Sequence, residues 1–265
     1  MAEMTAAESY EQFLVPNVFG PWAQLVLAAS ALQPGQRVLD AACGSGIAAR
    51  LAAAAVGSGG AVIGTDIDEG MLAVARRTAT RDGAAAIDWQ RADAMDLPFP
   101  NASFDAVLCF EGLQFFPDRT KGLAEFRRVL KPHGHLIGTV WGPLEENPGY
   151  HALAEGLARF VSPDAGRLPP FMLADCAAIQ SLLAEAGFAG IEVEPRRIMR
   201  PVPSVRAFIE WVASGAPTTR HKLSLLADSD REAFARFVEQ RLEPCRQEGV
   251  LQMPYMRHVF AASVP

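Results

Sequence analysis

The stretch Val38-Leu39-Asp40-Ala41-Ala42-Cys43-Gly44-Ser45-Gly46 reads as a buried strand running into a glycine-rich turn. The alanine-rich residues 48–55 that follow read as a helix, stopped by Gly57-Ser58-Gly59-Gly60. Glycine lets such a turn bend tightly and lets a ligand approach the backbone closely. The helix N-terminus beyond it offers free N–H groups to a polar ligand. Gly44, Gly46 and Ala49 also satisfy the dinucleotide fingerprint G-x-G-x-x-G/A. An ordinary tight strand-to-helix turn satisfies it too, so the neighbouring sequence has to decide.

Working outward, strand and helix signals alternate. Residues 36–41 are the first strand and 61–65 (AVIGT) the second. A helix over 69–81 ends at Asp82-Gly83, and 86–91 and 104–110 (FDAVLCF) are the third and fourth strands. The amphipathic stretch 119–130 places Leu123, Phe126, Val129 and Leu130 on one face. Lys131-Pro132-His133-Gly134 breaks it before a fifth strand at 135–141. Near-continuous apolar strands separated by helices imply a parallel sheet covered on both faces. Further on, Asp175 is placed to cap a helix over 175–186, with Gly187 just past its end. Residues 191–202 and 255–262 read as strands, and 150–160, 205–213 and 230–241 as helices.

Three acids sort the ligand classes. Asp66 closes the second strand 20 residues beyond Gly46, where a carboxylate can grip two ribose hydroxyls. Asp68 is a rival, but its place before Glu69 and a helix suits an N-cap. Asp93 follows the third strand, again at a carboxyl end, where open α/β sheets form their ligand crevice. Asp40 ends the first strand four residues before Gly44. A carboxylate there repels a pyrophosphate and attracts an ammonium or sulfonium. The acids therefore favour S-adenosylmethionine over NAD.

These segments resemble the class I S-adenosylmethionine-dependent methyltransferases. VLDAACGSG is similar to their motif I and AVIGTDIDEGML to their motif II. RADAMDLPFPNASFDAVLCF resembles the segment from their adenine-binding acid to the fourth strand. FFPDRTKGLAEFRRVLKPHGHL resembles the helix and turn before the fifth. Together they cover about residues 36–141, nearest in flavour to the small-molecule branch that includes the ubiquinone and menaquinone methyltransferases. The resemblance implies a Rossmann-like α/β sheet with helical lid insertions. It implies that Ala42, Cys43, Gly44 and Gly46 line the methionine part of the cofactor, largely through backbone. Asp66 would bind the ribose, Ile67 pack on adenine, Asp93 and the Ala94 backbone meet the adenine amino group, and Phe110 face the methionine portion. Ala42 stands where the family has its first glycine, and it fits if its φ stays negative.

The chemistry itself leaves little trace. Methyl transfer needs alignment above all, and a general base only when the nucleophile is a weak acid. Glu111 and Gln114 after the fourth strand, Tyr10, and His151 and His221 in the candidate lid segments are the groups to examine. His133 and His135 suit a structural turn, and His258 a strand position. The expected organisation is one domain over 1–265, with a core at 22–141, 175–202 and 255–265 and lid segments at 1–21, 142–174 and 203–254. Aromatic and methionine side chains in those segments suit a small apolar or planar acceptor, methylated at O, N or C.

Composition excludes several classes. The net charge of -6 gives no nucleic-acid footprint. The Asp/Asn-Pro-Pro-Tyr/Phe signature of DNA amino-methylases does not follow the fourth strand. Four scattered cysteines form no CxxC, so neither a metal site nor a disulfide framework is signalled. The N-terminus lacks the features of a signal peptide, and no 18-residue apolar run points to the membrane. A cytoplasmic protein is expected, either a monomer or a homodimer. Two alternatives stay open: an NAD(P)-dependent oxidoreductase, although the Tyr-x-x-x-Lys pair of short-chain dehydrogenases is missing, and a non-catalytic nucleotide-binding protein.

Overall fold

The computed structural model describes residues 4–30, 32–78 and 82–265. Its centre is an eight-stranded sheet. β1 (Arg37–Ala41), β2 (Ala61–Asp66), β3 (Ile87–Arg91), β4 (Phe104–Phe110) and β5 (Leu130–Trp141) are parallel and stand in the order β3-β2-β1-β4-β5. β8 (Val250–Ser263) runs antiparallel beside β5, with β6 (Ala189–Val202) outside it and the short β7 (Arg246–Gln247) pairing with β8. The order reverses between β1 and β4. In such a sheet the crevice outside the carboxyl ends at that reversal is the natural ligand site.

The helices cover both faces. The chain begins with α1 (Ala6–Ser9), closed by a reciprocal capping box between Thr5 and Glu8. A π-helical stretch, Tyr10–Phe19, and α2 (Gly20–Ala28) follow without a break. At their junction the Gly20 N–H reaches back five residues to the Val15 carbonyl. α3 (Ile47–Val56) and α4 (Glu69–Arg77) follow β1 and β2, and Asp68 caps α4 by accepting from the Gly70 N–H at 2.7 Å. The part of the expected helix over 79–81 lies outside the described residues. α5 (Arg119–Val129) precedes β5 and is capped by Asp118.

The second half holds α6 (Pro148–Phe160), α7 (Cys176–Glu185), α8 (Val205–Gly215), α9 (Pro217–Ser224) and α10 (Arg231–Leu242). Asp175 caps α7 at 2.9 Å and Gly187 follows it with φ +81°, as the sequence requires. Buried side chains form two clusters. Leu39, Val107, Phe126, Ile179 and Phe260 belong to one, under α5 and α7. Val38, Ala49, Leu108, Leu153, Phe208 and Val238 belong to the other, under α3, α6, α8 and α10. Neighbouring residues of β1 and β4 thus alternate between the two faces.

Three expectations need correction. β8 starts at Val250, not 255, so the stretch 203–254 is not all helix and loop. Pro254 hid this, because proline is excluded from interior strands. Here β5 pairs with β8 only from Arg257 onward, so Pro254 has β6 on one side and an open edge on the other. α9 went unread because PTTRHKLS carries no apolar stripe. β5 begins at Leu130, where it meets Phe104 before a register shift, so α5 stops one residue early.

Candidate active site

The carboxyl ends of β1, β2, β3 and β4 open into one cavity of about 780 Å³. Asp40, Ala42, Cys43, Gly44, Asp66, Ile67, Asp93, Ala94 and Phe110 all line it. The turn after β1 is strained. Ala42 has φ +54°, against the expectation of a negative value, and Gly44 has φ +55°. A left-handed alanine costs about 1–2 kcal/mol. Across the reversal point, Glu111 at the end of β4 has φ +62°. A Cβ on Gly112 would sit 2.7 Å from the Ala42 Cβ, so the two turns are packed against each other where the sheet changes direction. Strain of this kind persists only where its surroundings enforce it, and it gathers at functional sites.

Gly46 does not line the cavity. It holds φ +87° as the residue before α3, and a Cβ there would lie 2.2 Å from Cη2 of Trp89. Its role is to let the β3 indole pack against the turn.

The acids have distinct environments. Asp66 ends β2 and accepts from the Gly44 N–H at 2.7 Å and the Asp68 N–H at 2.9 Å. Burial pushes its carboxyl up, and those backbone donors pull it down. Each carboxylate oxygen keeps a lone pair for hydroxyl donors. Asp68 caps α4, as its place before Glu69 suggests, and both acids line the cavity. Asp93 accepts from the Met95 N–H at 2.8 Å. Ile67 is 62% exposed, a large apolar side chain bare at the cavity wall.

Asp40 is buried. One of its oxygens accepts from the Ala49 N–H at 2.8 Å, and Oδ1 has no partner. Burial pushes its carboxyl up to about 7, with nearby Asp66 adding to the effect and the Ala49 N–H opposing it. A buried carboxyl with an empty acceptor face is a place for a cation or a donor.

Beyond these acids the cavity changes character. Tyr10, Phe19 and Trp22 from the N-terminal helices, Trp141 from β5, Tyr150 from α6 and Phe171 form an aromatic chamber. At its base lies an ion pair that sequence reasoning missed on one side: Arg257 Nε is 2.9 Å from Glu111 Oε1. Arg257 is opposite Trp141 in the β5–β8 register and completely buried. Its guanidinium lies 4.3 Å from the Trp141 ring centre, 5.0 Å from Trp22 and 5.3 Å from Phe19. The only sequence signal was an arginine at an inward position of an apolar strand. Glu111 also accepts from the Thr139 hydroxyl at 2.8 Å. The Gln114 carbonyl oxygen accepts from the Trp141 N–H at 3.0 Å, so Gln114 fastens the chamber wall.

Of the candidate catalytic groups, Tyr10, Glu111 and Gln114 line the cavity. His151, half-buried on α6, and His221, exposed on α9, are not among the residues that line it. His258 faces Cys176, with its Nδ1 3.1 Å from Sγ, away from the cavity lining. Among the described residues no group of three or more His, Cys, Asp or Glu side chains is placed to hold a metal ion. No helix among them is long and apolar enough to cross a membrane.

Comparison with known proteins gives a consistent result. Residues 39–138 match a family model described as a methyltransferase domain. A 2-phytyl-1,4-naphtoquinone methyltransferase of Synechococcus elongatus is 48% identical over 112 residues, 42% of this chain and 48% of that protein. The chain therefore spans about half the length of that relative. A demethylmenaquinone methyltransferase of Clavibacter sepedonicus is 38% identical over 184 residues, 64% of this chain and 73% of that protein. The phosphoethanolamine N-methyltransferase 2 of Haemonchus contortus, solved in complex with S-adenosyl-L-methionine, shares the fold with a TM-score of 0.62. It is 24% identical, with 98% of this chain and 57% of that one covered. With the sheet order, the strained turn after β1 and the acids at successive strand ends, these likenesses place the sequence: the chain belongs to the methyltransferase domain family.

Proposed function

We propose that the protein transfers a methyl group from S-adenosylmethionine to an O, N or C nucleophile of a small aromatic or apolar metabolite. The observation that carries this reading is the single cavity: a row of strand-end acids, Asp40, Asp66 and Asp93, leads into an aromatic chamber. The residues fit the cofactor. Asp40 offers an unpartnered buried acceptor to an ammonium or sulfonium. Asp66 offers free lone pairs to ribose hydroxyls, Ile67 an apolar face to adenine, and Asp93 an acceptor to the adenine amino group. Bound there, S-adenosylmethionine supplies an electrophilic methyl group.

The chain's own contribution is alignment and dryness. Holding acceptor and methyl donor in one enclosed space replaces a bimolecular encounter by an intramolecular one, worth roughly 7–11 kcal/mol when the geometry is good. The aromatic walls exclude water and give a planar acceptor two faces to lie against. The segments at 4–21, 142–174 and 203–249 act as a lid within a single domain. In support, Tyr10, Tyr150 and Phe171 come from them, and α8 packs so closely on the N-terminal helix that a Cβ on Gly215 would lie 2.3 Å from Leu14. The reading takes the protein as cytoplasmic and its partner as a small molecule. The relatives named for naphthoquinone and menaquinone methylation make reduced quinones the first acceptors to try. The test is mass spectrometry of products from S-adenosylmethionine and a panel of reduced naphthoquinones, phenols and amines. A methylated product that needs the protein supports the proposal, and none from any acceptor class counts against it.

A further inference from the structure

β3 ends at Arg91 and β4 begins at Phe104, and the loop between them brings Asp93 to the cavity. The loop opens on a turn. The Asp96 N–H donates to the Asp93 carbonyl at 3.0 Å, and the Met95 N–H to the Asp93 carboxylate at 2.8 Å. The next residue, Leu97, has both of its backbone groups held by α5. Its N–H donates to Glu125 Oε2 at 2.8 Å, and its carbonyl accepts from Arg128 Nη2 at 2.9 Å. Arg128 Nη1 donates to the Phe99 carbonyl at 2.6 Å and to Asn101 Oδ1 at 3.0 Å. Nε and Nη2 of Arg128 also donate to the two oxygens of Glu125, each at 2.7 Å. A guanidinium has five N–H groups, and here all five are engaged. The bonds from Arg128 are the largest cause holding the Glu125 carboxyl below its ordinary range. Further on, the N–H groups of Ala102 and Ser103 donate to the carbonyls of Arg128 and Val129 at 3.0 and 2.8 Å.

Leu97 and Phe99 are buried, so apolar contact already attaches this loop to the core. Apolar burial has no direction. A planar fork shared between a carboxylate and two backbone carbonyls fixes both the place and the angle of the peptides it holds. The group that such precision serves stands one turn away, at Asp93. We propose that Glu125 and Arg128 are positioning residues for the cofactor's adenine: by fixing Leu97 they set the Asp93 carboxylate where it accepts from the adenine amino group. The inference rests on the proposed S-adenosylmethionine reading of the cavity. Neither side chain lines the cavity, so their effect on the ligand passes through the loop. A contact group of this kind works only when its support holds it to about 0.5 Å.

The test titrates the full chain by calorimetry with S-adenosylhomocysteine and with its 6-deamino analogue, which carries purine in place of adenine. Arg128→Lys keeps the charge opposite Glu125 and loses the fork. Glu125→Gln keeps one acceptor for the Leu97 N–H, and it carries the test if Arg128→Lys does not fold. Affinity for S-adenosylhomocysteine should fall at least tenfold in Arg128→Lys and at least threefold in Glu125→Gln. Affinity for the 6-deamino analogue should stay within about twofold of the wild type, because that ligand makes no use of Asp93. In an Asp93→Ala background neither substitution should weaken S-adenosylhomocysteine further by more than about twofold, as expected of residues that act through one another. Equal losses for the two ligands, losses undiminished in the absence of Asp93, or variants that bind as the wild type does would overturn the inference and leave the cofactor reading standing. No binding of S-adenosylhomocysteine to the wild type would overturn the cofactor reading and this role with it.

Discussion

Replacing Asp40 by Asn separates stability from function in a way that depends on pH. In the fold its carboxyl is pushed from an ordinary 3.8 up to about 7, first by burial. The neutral form is therefore favoured on folding. Its contribution to stability is fully present below about pH 4 and is lost as the pH rises to about 7. At 1.36 kcal/mol per unit, the loss above pH 7 comes to about 4 kcal/mol. Asn cannot ionise. Its side-chain carbonyl can still accept from the Ala49 N–H, but its amide takes the place of Oδ1, which has no partner, at a pH-independent cost of about 1–3 kcal/mol. Asp40→Asn should therefore be more stable than the wild type by about 1–3 kcal/mol at pH 8. Between pH 5 and pH 8 its relative stability should rise by about 3 kcal/mol. Urea denaturation followed by tryptophan fluorescence at the two pH values measures both quantities. The same substitution removes the negative charge offered to a cationic cofactor, so S-adenosylmethionine affinity at pH 8 should fall at least tenfold. Stability curves of variant and wild type that run parallel from pH 5 to 8 would refute the reasoning.

Other outcomes follow from the same geometry. Asp66→Ala removes the acceptor for ribose hydroxyls, with charge-assisted bonds worth about 1.5–3 kcal/mol each, and calorimetry should show at least a tenfold loss of S-adenosylhomocysteine affinity. Gly46→Ala should cost at least 2 kcal/mol more, by urea denaturation, than Gly35→Ala: both sites have φ near +87°, but only Gly46 would drive a Cβ into Trp89. His151→Ala and His221→Ala should leave cofactor affinity and turnover unchanged, because neither side chain lines the cavity. Hydrogen exchange should be faster in α6, α8 and α9 than in β1, β4 and β5 in the free protein, and should slow with cofactor and acceptor together.

What was legible in the sequence follows from how local the causes are. The parallel core was readable because VLDAA, AVIGT and FDAVLCF are buried on both faces and so are largely apolar. The strand-end acids were readable because a carboxylate just after a buried strand has nowhere to be but the crevice. The conformation of Ala42 was not: its positive φ goes with a turn packed close to Gly112, 70 residues away. Gly46 was assigned to the ligand because the fingerprint puts it there, and only Trp89 on β3 reveals the other reason for a glycine. Arg257 was invisible for the same kind of cause. Its meaning lies in Glu111, Phe19 and Trp22, which two separate parts of the chain bring to it. β8 lost its first residues to a proline that is harmless only because β5 ends where it does.

The most direct test of the account is isothermal titration calorimetry of the purified protein with S-adenosylhomocysteine and, separately, with NADH. The account predicts saturable binding of S-adenosylhomocysteine at one site per chain, weakened at least tenfold by Asp66→Ala, with no heat from NADH. Saturable NADH binding with none from S-adenosylhomocysteine would contradict it.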